Sequence, residues 1–189
     1  GQAFAGKHAE CVFLNGQSFE SITALSRSLR AQALAHGRKA DDIKVFVGAS
    51  MIAAKTDAEA QDLYEEYKHY VDTEAALVHA SASLGVDLSK VDLDAPVDPS
   101  QLKREAIQSN SEAMVRQHGK QWTKGDLIRQ MVLGSRQTPI VGSGSRLADY
   151  LVAMQSACNI DGINLSRTVV PECFDDFIDY VIPELQSRG

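Results

Sequence analysis

A chain of 189 residues, 44% of them hydrophobic, is long enough to bury a sizeable core within one domain. Its net charge of −6 and isoelectric point near 5.3 argue against a nucleic-acid or anionic-membrane surface, since either needs clustered Lys and Arg to neutralise phosphates. No apolar stretch approaches the ~18 residues that span a bilayer, and no charged-then-apolar leader opens the sequence, so no membrane partner and a cytoplasmic location are expected. Cys11, Cys158 and Cys173 lack the short paired spacing of a zinc or redox site and are expected as free thiols in or near the core. Gly1 rather than Met opens the chain, and no loop or cap precedes the first recognisable element; the expectation is a piece of a longer polypeptide.

In chain order, short β-rich runs alternate with helical ones, as in βα units around a parallel sheet. Phe4 to His8 reads as a short helix, and Ala9 to Leu14 as a continuous apolar run of buried-strand length. Ile22, Leu25, Leu29 and Leu34 recur near the 3.6 period, which predicts a helix from Ser18, its cap, to about His36 before Gly37. Ile43 to Gly48 is the second strand, and Ser50 to Ala54 either continues it or turns away. Thr56-Asp57-Ala58-Glu59 is a capping box, so a helix follows to about Tyr70.

Between residues 72 and 138 the alternation fails. Helical stretches are predicted near Glu74 to Leu84, Leu102 to His118 and Thr123 to Leu133, with a Gly, Asp and Pro-rich connection around Gly85 to Ser100. Such length with helices of its own marks an insertion rather than another βα unit. Alternation resumes at Pro139 to Gly142, where Ser143 or Ser145 can cap a helix through Met154. The third strand is Asn159 to Leu165, and a closing helix runs from about Phe174 to Gln186. Three such strands leave exposed edges, so the sheet needs more strands than these.

An ordered set of motifs covers nearly the whole chain. It begins with Gly1-x-x-Phe4-Ala5-x-x-His8-Ala9-Glu10, then Ile43-Lys44-Val45 with Gly48, Thr56-x-x-Glu59-Ala60, Val86-Asp87-Leu88-Ser89 and Leu93-Asp94. Ile140-Val141-Gly142, Leu147-Ala148-Asp149 and the closing Pro183-Glu184-Leu185-Gln186-x-Arg188-Gly189 complete it. This set resembles the luciferase-like flavin-dependent monooxygenases, most closely the nitrilotriacetate, pristinamycin and dibenzothiophene-sulfone group. Val47 and Gly144-Ser145 depart from residues common there, at structural positions.

The resemblance implies an α/β fold, the C-terminal part of a (β/α)8 TIM-type barrel holding strands six to eight, with the helical insertion of about 72–138 at the face where barrel sites form. It further implies a two-component system. A separate flavin reductase supplies reduced FMN, which reacts with oxygen to a flavin peroxide that oxygenates a small organic substrate. Gly1 alone would fall on the flavin-phosphate loop, where a glycine lets backbone N–H groups approach phosphate oxygens. Most of the catalytic residues would lie upstream of Gly1. A homo-oligomer is expected, and the other reading is a non-catalytic barrel fragment that self-associates through its strand edges.

Other polar candidates carry plainer readings beside functional ones. His118 and Trp122 could line a substrate pocket, or simply anchor the insertion and end a helix. His8 reads as a packed or surface histidine, and Ser26 and Ser28 with Arg27 and Arg30 as a solvated helix face. Asp161 and Asn164 flank the last strand and could reach the barrel mouth, though Asp161-Gly162 also reads as a turn. Asp175, Asp176 and Asp179 read as a helix start rather than a metal site. No HExxH, nucleophile elbow, P-loop or complete GxGxxG is present.

Overall fold

The computed structural model describes residues 1–15, 18–84, 87–95, 123–130, 133 and 138–189, with backbone alone at 83, 84, 127, 129 and 130. They form two compact units, Gly1–Tyr64 with Pro139–Gly189, and Glu65–Thr138. In the first, the apolar runs become parallel strands: β1 Cys11–Leu14, β2 Lys44–Ala54, β3 Ile140–Ser143 and β4 Gly162–Ser166. Phe46 is in register with both Phe13 of β1 and Gly162 of β4, so β1 and β4 lie on opposite edges of β2. Farther along, Met51 to Ala54 pair with Ile140 to Ser143. β2 has no charge after Lys44 and is buried throughout its second half, the pattern of a parallel strand covered on both faces.

The three expected strands are therefore four among the described residues. The sequence marks Ile140 to Ser143 only as the approach to a helix. Four residues are too few for periodicity to separate a strand from a helix lead-in, and the register with β2 decides it.

Helix signals hold where they are local. Helix α1 spans Gln2–His8, and α2 spans Phe19–Ala35 with Ser18 accepting from the Ser21 N–H; Gly37 then takes φ 75°. In α3, Asp57–His69, the Glu59 N–H donates to Thr56 Oγ1 at 3.2 Å and the Thr56 N–H to Glu59 Oε2 at 3.0 Å. Thr56→Ala is expected to lower stability by about 1 kcal/mol. A urea midpoint that moves down with unchanged slope would show it, and an unmoved midpoint would mean the box contributes nothing.

The second unit, taken alone, holds α4 at Thr73–Leu84, a 3₁₀ turn at Leu88–Lys90 and α5 at Lys124–Gln130. Asp126 and Thr123 cap α5 reciprocally at 3.0 and 3.1 Å, and Lys124 Nζ donates to the Val91 carbonyl at 3.0 Å. The helix expected from Leu102 to His118 lies outside the described residues.

Back in the first unit, α6 runs Gly144–Cys158, past the expected Met154, because its left-handed stop comes only at Asn159 with φ 51°. Ser143 is its cap. The single expected closing helix is interrupted: α7 Glu172–Asp176, a π-helical turn Phe177–Val181, then α8 Ile182–Ser187. Ile22, Leu29 and Ala33 of α2 and Leu147, Leu151 and Met154 of α6 cover one face of β2, where Val45, Val47, Ala49 and Met51 point. Among the described residues, no helix is long and apolar enough to cross a membrane. The three cysteines are free, but only Cys158 and Cys173 are buried; Cys11 is exposed because the period of β1 turns it away from the helices.

Candidate functional site

Parallel pairing points the carboxyl ends of the strands one way, and in α/β sheets and barrels that end gathers ligands. The side chains of β2 alternate. Val45, Val47 and Ala49 meet the helices, while Lys44, Phe46, Gly48 and Ser50 take the other face. On that face Phe13 and Phe46 stack tilted, ring centroids 5.5 Å apart, with Phe13 65% exposed. Gly162 has no side chain because a Cβ there would come within 2.6 Å of Phe46 Cε1.

Two residues nearer the carboxyl ends, Gly48 pairs with Asn164. Continuing the β1 register brings Asn15 alongside, and a Cβ on Gly48 would lie 3.3 Å from Asn15 Oδ1. An aromatic row thus lies one row below an amide row, which falls at the end of β1 but within β2, whose next residue on that face, Ser50, is buried. Of these residues the sequence offers Asn164 alone as a site candidate. A period-two count along each strand places the others on one face, but only the pairing register aligns them across strands.

The sequence-predicted residues are not brought together. Gly1 is exposed and is the N-cap of α1, its carbonyl accepting from the Ala5 N–H at 2.9 Å. His8 is exposed, its ring 4.9 Å from that of Phe4. His118 and Trp122 lie outside the described residues. Asn164 is on the open face, but Asp161 is not at the mouth: it precedes β4 at the amino ends of the strands.

There Asp161 has a structural role. Its Oδ2 accepts from the Val45 N–H and from Arg30 Nη2, both at 2.8 Å, and its own N–H donates to the Val45 carbonyl at 2.8 Å. Burial pushes the Asp161 carboxyl up, but the Val45 N–H and the charges of Arg30 and Lys44 outweigh it and hold the group below its ordinary 3.8. Ser26 and Arg30, expected on a solvated face, are buried instead. Ser26 donates to the Asn159 carbonyl at 3.0 Å, and Arg30 also reaches the carbonyls of Ala40, Ile43 and Asn159. Their partners are brought by folding, which the helix pattern alone does not reveal.

At the carboxyl ends, Asp57 joins two turns, accepting from the Ser143 N–H at 2.7 Å with Arg146 3.4 Å away. The Ser143 hydrogen bonds hold its carboxyl below the ordinary value. Asp176 goes the other way: burial, then repulsion from Asp175, Asp179 and Glu172, raises it. The described residues hold no group of three or more His, Cys, Asp or Glu placed for a metal ion.

The Luciferase-like monooxygenase family matches residues 1–158. The whole chain aligns, at 33% identity, with 39% of the dimethyl-sulfide monooxygenase of Hyphomicrobium sulfonivorans. It aligns at 34% identity with 38% of the long-chain alkane monooxygenase of Geobacillus thermodenitrificans, and at 30% with 44% of one of the subunits of pristinamycin IIA synthase from Streptomyces pristinaespiralis. A crystal structure of riboflavin lyase with modified FMN and the substrate riboflavin superposes on the whole chain with a TM-score of 0.86 and 33% identity, using 41% of that protein. The chain spans about two fifths of the length of these relatives. It belongs to the luciferase-like monooxygenase family.

Proposed function

We propose that this member of the luciferase-like monooxygenase family is the C-terminal portion of an FMNH2-dependent monooxygenase, with β1, β2 and β4 as barrel strands six to eight, and that its complete form oxygenates a small organic substrate with O2. The observation that supports the reading best is the likeness of the whole chain to a flavin-bound relative at a TM-score of 0.86. A similar protein, named as one member of a multi-subunit synthase, supports a two-component arrangement in which a separate reductase supplies the reduced flavin. The unit Glu65–Thr138 corresponds to the proposed insertion of about 72–138, with His118 and Trp122 as its candidate pocket residues. A cytoplasmic homo-oligomer completes the proposal.

The residues present fit FMN at one place. The N–H groups of Gln2, Ala3 and Phe4 precede the first intrahelical bond of α1. Gly1 would hold the phosphate there by close backbone approach. Reduced FMN, when bound, supplies the electrons that activate O2. The chain's own part is to present the Asn164 end of the sheet to the substrate and to keep water from the reacting atoms behind the Phe13 and Phe46 rings.

The test is incorporation of isotopically heavy oxygen gas, with the polypeptide that carries this chain and its upstream segment, FMN, NADH and a flavin reductase, over sulfide and alkane substrates. One heavy oxygen atom per product, dependent on reductase, is expected. Flavin binding with no incorporation into any substrate would leave the non-catalytic reading. For the 189-residue chain alone, flavin fluorescence should show no saturable FMN binding, and one flavin per chain would mean that the site does not depend on upstream strands.

A further inference from the structure

We propose that Arg38 and Ser28 are positioning residues for flavin, fixing α1 against α2 so that the Gly1 end of α1 meets the FMN phosphate. This rests on the reading of Gly1 as part of the phosphate site. Helix α1 is seven residues long, too short to hold its shape without tertiary contacts. Three contacts seat it on α2 and the turn that follows. Arg38 Nη1 donates at 2.9 Å to the Gly6 carbonyl, one of the last four carbonyls of α1, which a helix leaves without an N–H of its own. Gly6 is buried, and a β-carbon there would collide with Gln32 Cβ and lie 2.8 Å from the Gln32 carbonyl carbon, so the two backbones meet with no side chain between them. At the other end Ser28 Oγ donates to Gln2 Oε1 at 2.5 Å. Gln2 beside Ser28 and Gly6 beside Gln32 set the two helices parallel.

Arg38 reaches α1 because of how α2 ends. Gly37 takes φ 75°, and the Arg38 N–H donates back to the Ala33 carbonyl at 3.0 Å, which folds the chain over the last turn of α2. The second arm of the guanidinium, Nη2, donates to the Asp42 carbonyl at 3.0 Å just before β2, and a cation at the end of α1 also opposes the helix dipole. β1 follows α1, and the Lys44 N–H donates to the Glu10 carbonyl at 2.7 Å, so the Arg38 end of α1 sits at the amino ends of the strands and Gly1 points toward their carboxyl ends. At 1.5 Å per residue α1 is about 10 Å long, and a tilt of about 10° at its Arg38 end carries Gly1 about 2 Å, more than a hydrogen bond to a phosphate oxygen tolerates. Gln2, Ala3 and Phe4 bring no cation. From these residues the phosphate meets backbone N–H groups alone, whose hold depends on direction.

The test uses the whole polypeptide that carries this chain and its upstream segment, titrated with oxidised FMN and with riboflavin and followed by flavin fluorescence. Riboflavin lacks only the phosphate. The ratio of the two dissociation constants therefore isolates the phosphate contacts, whereas a general loosening of the protein weakens both flavins together. Arg38→Met is expected to lower the preference for FMN about tenfold, and Arg38→Lys to recover part of it, because an ammonium still donates to the Gly6 carbonyl. Ser28→Ala removes one hydroxyl from an exposed contact, keeps the test open where Arg38→Met does not fold, and should lower the preference about threefold. A native protein that prefers FMN, with a preference that Ser28→Ala and Arg38→Met leave unchanged, would sink this inference alone. A native protein that binds both flavins equally would sink the phosphate reading at Gly1 and this inference with it.

Discussion

Replacing Arg30 with methionine is expected to destabilise the fold by about 3 kcal/mol, read as a fall in the urea midpoint at neutral pH. The Arg30 side chain is 9% exposed, and its guanidinium donates to Asp161 Oδ2 at 2.8 Å, to the Ala40 carbonyl at 3.0 Å and to the Asn159 carbonyl at 3.2 Å. One side chain therefore fastens the loop before β2, the end of α6 and the start of β4. Methionine fills similar volume, so the loss measures the polar fork and the carboxylate left behind rather than a cavity. Arg30→Lys should recover only part of it, since an ammonium cannot span the same carbonyls and Oδ2 together. The contact of Arg30 with Asp41, whose side chain is 87% exposed, adds little. A midpoint shift below experimental error would show that the cluster is not what orders the amino ends of the strands.

The same cluster has a pH signature. The folded-state value of Asp161 lies below the ordinary 3.8, so the stability it contributes is fully present above that value and is lost as pH falls through the lowered one. In Arg30→Met a principal cause of the lowering is gone. The difference in stability between the native chain and the variant should hold steady around neutrality and shrink in acid below 3.8. A difference independent of pH would mean that Arg30 acts through its carbonyl contacts alone.

What can be read from the sequence is local. Ser18, Gly37, Thr56 with Glu59, and Ser143 each act within four residues of their partners, and each sits where the pattern puts it. Ser26 and Arg30 mislead for the opposite reason. They share a helix face with Ile22, Leu29 and Ala33, but a charge on that stripe reads as solvated unless its partner 131 residues away is known. Asp161 belongs to the same long-range contact, which is why its turn-like sequence hides a clamp. β3 is too short to be legible, and the closing helix splits at a π-helical turn that no capping residue announces. The resemblance points to Gly1 and the residue chemistry to His118 and Trp122, whereas the amide row needs strand register, a property of the sheet rather than of any segment.

Gly144 carries the second large effect, and it concerns that π-helical turn. As the first residue of α6 it is buried, and a β-carbon there would collide with the Tyr180 carbonyl oxygen and lie 2.6 Å from the carbonyl carbon. Both atoms are backbone, so no rotamer change relieves the contact; either the start of α6 or the turn Phe177–Val181 must move. Gly144→Ala is therefore expected to cost about 2 kcal/mol despite alanine's better helix propensity, and Gly144→Val more. The control is Ser145→Ala, one residue on and exposed, which should change stability far less. Hydrogen exchange locates the damage: amides of Phe177 to Leu185 should lose protection in Gly144→Ala while those of α3 keep theirs. If Gly144→Ala instead stabilises the chain, the close approach of the two backbones is not maintained in solution, and the glycine's place at the helix start has no packing cause.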